Sequence, residues 1–125
     1  MMRKEHPRPI FYRKDWINLN GKWTCEFSKN IKGLSKSKLN KKKFSKTINV
    51  PFCPESKLSG IGNTDFIQEI YYQKYFSISK SWKNKKILLH FGAVDYQSIV
   101  FVNKKKVASN TGGSTPFSID ITSAI

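Results

Sequence analysis

Cysteine and histidine are scarce in this sequence. Cys25, Cys53, His6 and His90 are the whole supply in 125 residues, and none of the four stands at metal-ligand spacing from another. That excludes a zinc module or a disulfide framework. A single Cys25–Cys53 bridge stays open, but Cys25 lies in a strand-like run with Trp23 and Phe27, where a buried free thiol is expected. Cys53 falls between Phe52 and Pro54 in a loop. No run of about 18 apolar residues occurs, and the opening MMRKEHPRPIF lacks the apolar centre of a secretory leader. A cytoplasmic location is expected, with no membrane partner and no cofactor.

Acidic residues are also few, eight against 23 Lys and Arg, for a net charge of +15. Such an excess raises nucleic acid or another polyanion as a partner. Arginine, however, is limited to Arg3, Arg8 and Arg13, and reading of bases and phosphates leans on the bidentate guanidinium fork. Lysine beside many Asn, Ile and Ser fits a coding bias that loads solvated faces, so no specific nucleic-acid partner is expected, only salt-sensitive sticking to polyanions.

Aromatic residues, by contrast, make up 14% of the chain, which argues for a folded core although the mean hydropathy is −0.49. A chain of this length is one domain or a piece of one, able to bury about two thirds of its unfolded surface. Its centre is residues 87–121. Ile87, Leu89 and Phe91 alternate with their neighbours, and Ile99 and Phe101 alternate with Ser98, Val100 and Val102, the period-2 pattern of strands. Asn103-Lys104 stands where a two-residue hairpin turn belongs, and Gly112-Gly113-Ser114-Thr115-Pro116 leads to a last strand over 117–121. Upstream, residues 1–14, with Pro7 and Pro9, read as an extended arm before a domain over 15–125. Asn20-Gly21 opens a strand carrying Trp23, Cys25 and Phe27. Residues 28–46 are a lysine-rich loop with room for one short helical turn, 47–50 a brief strand, 50–66 a long loop with two prolines and two glycines, and 70–78 another strand. Lys74, on the apolar face of that strand, must snorkel or meet a carboxylate. The expectation is an all-β, antiparallel domain of about six strands, fewer than the eight of a two-sheet jelly roll, and so incomplete at its C-terminal end.

The order VPFCPESKLSGIGNTDF, YYQKYFSI, a Trp-containing connection, ILLHFGAVDYQSIVFVNKKKV and TGGSTPFSIDIT resembles the N-terminal sugar-binding domain of glycoside hydrolase family 2, the family of β-galactosidases and β-glucuronidases. The resemblance covers nearly the whole chain. It implies a jelly-roll β-sandwich, similar to galactose-binding domains, that precedes an immunoglobulin-like domain and a catalytic (β/α) barrel. The intact enzyme would hydrolyse terminal β-glycosides with retention, using two carboxylates about 5–5.5 Å apart. The acids of this chain show no independent sign of that pair, so no catalytic residue is assigned and the chain alone is expected to be inactive. Its partners would be a β-glycoside and the downstream domains; a homo-oligomeric state of the intact enzyme stays open. Three departures from the family pattern are Lys104 in place of the turn glycine, Gln73-Lys74 in place of an Arg-Arg pair, and Asn110 and Ser114 around the Gly-Gly.

The resemblance also implies that a loop of this domain reaches the sugar at the mouth of the barrel. The counterpart is residues 60–66, in which Asn63 and Asp65 would hydrogen-bond sugar hydroxyls and Phe66 would offer a ring face. The simpler reading is that Asn63-Thr64-Asp65 caps a turn through an Asx hydrogen bond. Asp95 could bind a ligand, but a partner for Lys74 or for backbone N–H groups is the simpler role. The Gly112-Gly113 loop lacks the Lys and following helix of a phosphate cradle. Trp23 reads as core and Trp82 as exposed. Two other function classes remain: a stand-alone carbohydrate-binding module, and a basic nucleic-acid-binding protein.

Overall fold

A computed structural model describes residues 15–28, 35–65 and 67–125. The expected arm over 1–14 lies outside them. Chain contacts divide the protein into two compact units, one ending at Phe76 and one running from Ser77 to Ile125. Among the described residues there are seven strands, and every pairing is antiparallel. No helix in them is long and apolar enough to cross a membrane.

The first unit is built on β1 (Gly21–Ser28), flanked by β2 (Lys46–Val50) and β3 (Glu69–Gln73) in the order β2-β1-β3. Alternation along β1 sends Trp23, Cys25 and Phe27 to one face and Lys22, Thr24 and Glu26 to the other. Cys25 and its sheet neighbour Ile48 are fully buried. Trp23, paired in register with Ile48, is half-buried, meets Tyr72 edge to face at 6.4 Å and donates its indole N–H to the Leu19 carbonyl at 2.7 Å. In the lysine-rich connection one helical turn, α1 (Lys36–Leu39), is capped by the Ser35 side chain. Phe44 then folds inward to become buried.

β3 is shorter than the expected strand over 70–78. In the β1–β3 register Thr24 faces Gln73. Two residues back along β1, the Lys22 carbonyl accepts from the Lys74 ammonium at 2.8 Å. This settles how Lys74 is accommodated: it meets a carbonyl rather than a carboxylate.

The second unit has two pairs, β4 (Leu88–Phe91) with β7 (Phe117–Asp120), and β5 (Gln97–Val102) with β6 (Lys105–Thr111). Phe91 and Phe117 are cross-strand partners and stack at 4.9 Å. Ile119 and Ile121 are buried. The end of β7 is locked by Thr122, whose hydroxyl accepts from Ile87 N at 2.8 Å and donates to the Asp120 carboxylate at 2.6 Å. Those bonds, with Lys86 further off, hold the Asp120 carboxyl below the usual carboxylate range. β6 was not among the strands read from the sequence, because KKVASNT shows no apolar alternation; the hairpin turn before it fixes its place. Val100 faces Ala108 and Phe101 faces Lys106, so Val107 of β6 is the extra residue of a bulge; Ile99 of β5 is 57% exposed.

Asn103 and Lys104 both have positive φ, 49° and 68°, as a type I′ hairpin requires, and the Asn103 carboxamide donates to the Ala124 carbonyl at 2.8 Å. Asparagine tolerates this region and lysine does not, at a cost of about 1–2 kcal/mol. Lys104→Gly should therefore raise stability by up to about 1 kcal/mol, partly offset by the greater freedom of glycine in the unfolded chain. Urea unfolding of the two chains at equal salt checks this.

Candidate functional site

Residues 51–65 form a loop that is bonded largely to itself. After Pro51 the chain turns with Phe52 N on the Asn49 carbonyl at 3.0 Å. Ser56 caps a single 3-10 turn, Lys57–Ser59, by accepting from Leu58 N. Ser59 is the hub. It is fully buried, its hydroxyl donates to the Ser56 carbonyl at 2.7 Å, and it accepts from Ile61 N at 3.1 Å. Gly60, at φ 85°, closes the turn in the left-handed region. Asn63 N then bonds back to the Pro54 carbonyl at 2.9 Å, drawing the two arms of the loop together.

Of the expected sugar-contacting residues, Asn63 and Asp65 stand side by side just beyond this closure. The Asn63 side-chain oxygen accepts from Asp65 N at 2.9 Å, the Asx turn that the simpler reading foresees. Asp65 is exposed and Asn63 half-buried. Phe66 lies outside the described residues. Sequence reasoning missed the buried Ser59 and the exposed Leu58 at the outer side of the turn. The SxxS spacing of Ser56 and Ser59 was the available signal.

Glu26 takes Lys38 and Lys41 at 2.8 and 2.6 Å, and hydrogen bonds from these two ammoniums hold its carboxyl below the usual range, which suits a permanent anion and not a general acid. Tyr71 is pushed up to about 12, first by burial and then by its hydrogen bond to Glu69. Asp95 is exposed. Its side chain lies over Gly113, where a Cβ would sit 2.7 Å from Asp95 Oδ1, so a larger residue there would have to turn the exposed Asp95 carboxylate aside. Trp82, expected to be exposed, is half-buried in a groove of about 570 Å³ beside Ile78, Ile87 and Lys83. Cys25 and Cys53 are both free. Among the described residues no cluster of His, Cys, Asp or Glu could hold a metal ion.

Comparison with known proteins gives this geometry a family. Residues 23–125 match the model of the sugar binding domain of family 2 glycosyl hydrolases. A putative β-glucuronidase of Formosa agariphila is 30% identical over 121 residues, which is 96% of this chain and 14% of the relative. A β-glucuronidase of Paenibacillus borealis is 36% identical over 46% of this chain and 10% of its own length, and a β-galactosidase of Thermoanaerobacter pseudethanolicus is 40% identical over 44% and 7%. The chain thus spans at most about a seventh of these relatives. A solved β-glucuronidase of an uncultured Clostridium shares the fold, with a TM-score of 0.69 at 22% identity over 86% of this chain and 19% of that one, in agreement with the all-β sandwich class expected from the sequence. The chain belongs to the sugar-binding domain family of glycosyl hydrolases family 2.

Proposed function

We propose that this domain serves a retaining glycoside hydrolase as an accessory sugar contact, the intact enzyme cleaving terminal β-glucuronides or β-galactosides in the cytoplasm. The chemistry would reside in catalytic carboxylates of a barrel domain supplied outside these 125 residues. Here the loop over 60–66 would touch the sugar at the non-reducing end, with Asn63 and Asp65 bonding hydroxyls and Phe66 covering a C–H face. The observation that carries this reading is the self-bonded loop. Its closure at Pro54–Asn63 and the Asx bond between Asn63 and Asp65 leave the Asp65 carboxylate exposed on a braced backbone, the preorganisation a binding contact requires.

The test compares two proteins on chromogenic β-glucuronide and β-galactoside: the 125-residue chain, and the same chain joined to its downstream coding region. Turnover is expected only from the longer protein. In that protein Asp65→Ala should lower kcat/KM by about 10–100-fold, the effect of removing one or two charged hydrogen bonds to substrate. Turnover by the short chain would sink the assignment of the chemistry elsewhere, and an unchanged kcat/KM in Asp65→Ala would remove the loop from the sugar. Tight binding of a neutral sugar by the short chain alone would favour a free-standing binding module instead.

A further inference from the structure

A second feature of the first unit is unrelated to that loop. Beside β1, a groove of about 340 Å³ is lined by four lysines, Lys22, Lys42, Lys43 and Lys74, with Trp23 and Tyr75 also in its wall and no carboxylate among the described lining residues. The lysines come from three separate pieces of chain: β1, the turn before β2, and the end of β3. Their backbones are pinned. The Lys74 ammonium is held on the Lys22 carbonyl at 2.8 Å, keeping two of its three donors for another partner. Gln73 bonds the Lys41 carbonyl at 2.7 Å, and the buried Phe44 anchors the turn that carries Lys42 and Lys43. Glu26, the acid on the same face of β1 as Lys22, is already occupied by Lys38 and Lys41. Among the described residues the groove is therefore a concentration of positive charge without a counter-ion in its lining, the arrangement that draws in an anion. Tyr75 stands at its edge, 72% exposed, beside the Gln73 carboxamide and the Thr24 hydroxyl.

We propose that this groove binds an acidic polysaccharide, a chain of pyranose rings bearing carboxylate or sulfate groups. Lysine ammoniums act as point charges for such groups. A single exposed tyrosine gives one ring face for a sugar's C–H surface, and the neutral Thr24, Gln73 and Tyr75 groups offer bonds to hydroxyls. No arginine lines the groove, so it lacks the fork that reads phosphates and base edges; of its two aromatic residues Trp23 is half-buried with its indole N–H on the Leu19 carbonyl, which leaves Tyr75 as the exposed ring where single-stranded nucleic acid favours a series of stacking platforms. The site lies outside the proposed loop contact and does not depend on it.

The test measures binding of the 125-residue chain to fluorescent oligomers of dextran sulfate, polygalacturonate, neutral dextran and oligo-dT at fixed salt. One or both acidic oligosaccharides should bind at least tenfold more tightly than neutral dextran and more tightly than oligo-dT; their relative order tells sulfate from carboxylate preference. Raising salt from 50 to 200 mM should weaken binding by tens of fold if about four charges are neutralised. The double variant Lys42→Glu/Lys43→Glu, at exposed turn positions, should lose at least tenfold. Lys104→Glu/Lys105→Glu, which makes the same change in net charge on the β5–β6 hairpin, should lose less than threefold. Equal losses in the two variants would mean diffuse attraction to the net charge, and either that result, a preference for oligo-dT, or no binding of acidic sugars overturns the proposal.

Discussion

Ile48→Ala should destabilise the first unit by about 3 kcal/mol, within the usual 2–5 kcal/mol for truncating a fully buried isoleucine. Ile48 is completely buried on the central pairing of the β2-β1-β3 sheet, in register with Trp23 and next to Cys25. The loss matters more here than in a thick core. Among the described residues of this unit the fully buried apolar side chains are few, chiefly Cys25, Phe44 and Ile48, while Ile17, Leu58, Tyr72, Tyr75 and Phe76 keep much of their surface in solvent. With so little apolar area withdrawn from water, the stability to be lost is near the low end of the ordinary range of about 5–15 kcal/mol. In urea, where small domains lose about 1–3 kcal/mol per molar, the midpoint should fall by roughly 1–3 M. Ile17→Ala, at a position 46% exposed, should move it by less than about 0.5 kcal/mol. A drop below 1 kcal/mol for Ile48→Ala would show that the cavity collapses and that Ile48 is not central to this sheet.

The elements that sequence pattern located are those whose reason is local. Asn20-Gly21 and the alternation of Trp23, Cys25 and Phe27 mark β1, and Asn103-Lys104 marks a turn whose positive φ at both positions follows from its length. What the sequence concealed depends on partners far along the chain. The Lys74 ammonium finds its acceptor in the Lys22 carbonyl, 52 residues away along the chain. The β5–β6 register skips Val107 between the Val100–Ala108 and Phe101–Lys106 pairs, a bulge that no alternation in either strand announces. β6 has a polar sequence and exists by virtue of the hairpin. At the loop, prolines and glycines announced a structured crossing, and the Asx bond of Asn63 was foreseen, but the brace through Ser59 needed the fold to bring Ser56 and Ile61 together. The lysines show the same limit: along the chain they read as scattered solvated charge, and only the register of β1, β2 and β3 gathers four of them into one groove.

The two thiols should differ in reactivity by two orders of magnitude or more. Cys53 is exposed on the loop, and Cys25 is fully buried. The thiolate is the attacking species, and burial pushes the Cys25 thiol up, an effect that nearby Lys46 only partly opposes. Reaction of Cys25 therefore requires the sheet to open. An opening that costs about 3 kcal/mol holds the rate down roughly 150-fold, at about 1.4 kcal/mol per tenfold. Titrating the native chain with a thiol-reactive aromatic disulfide should show one fast and one slow phase of equal amplitude, the fast one absent in Cys53→Ser. Because Ile48 and Cys25 are neighbours in one sheet, Ile48→Ala should remove about the same 3 kcal/mol from the opening, and the slow phase should approach the fast one. Equal rates in the parent chain would mean that the β2-β1-β3 sheet is not closed over Cys25. A slow phase unmoved by Ile48→Ala would mean that the two residues open independently, which the register pairing Trp23 with Ile48 and Cys25 with Lys46 does not allow.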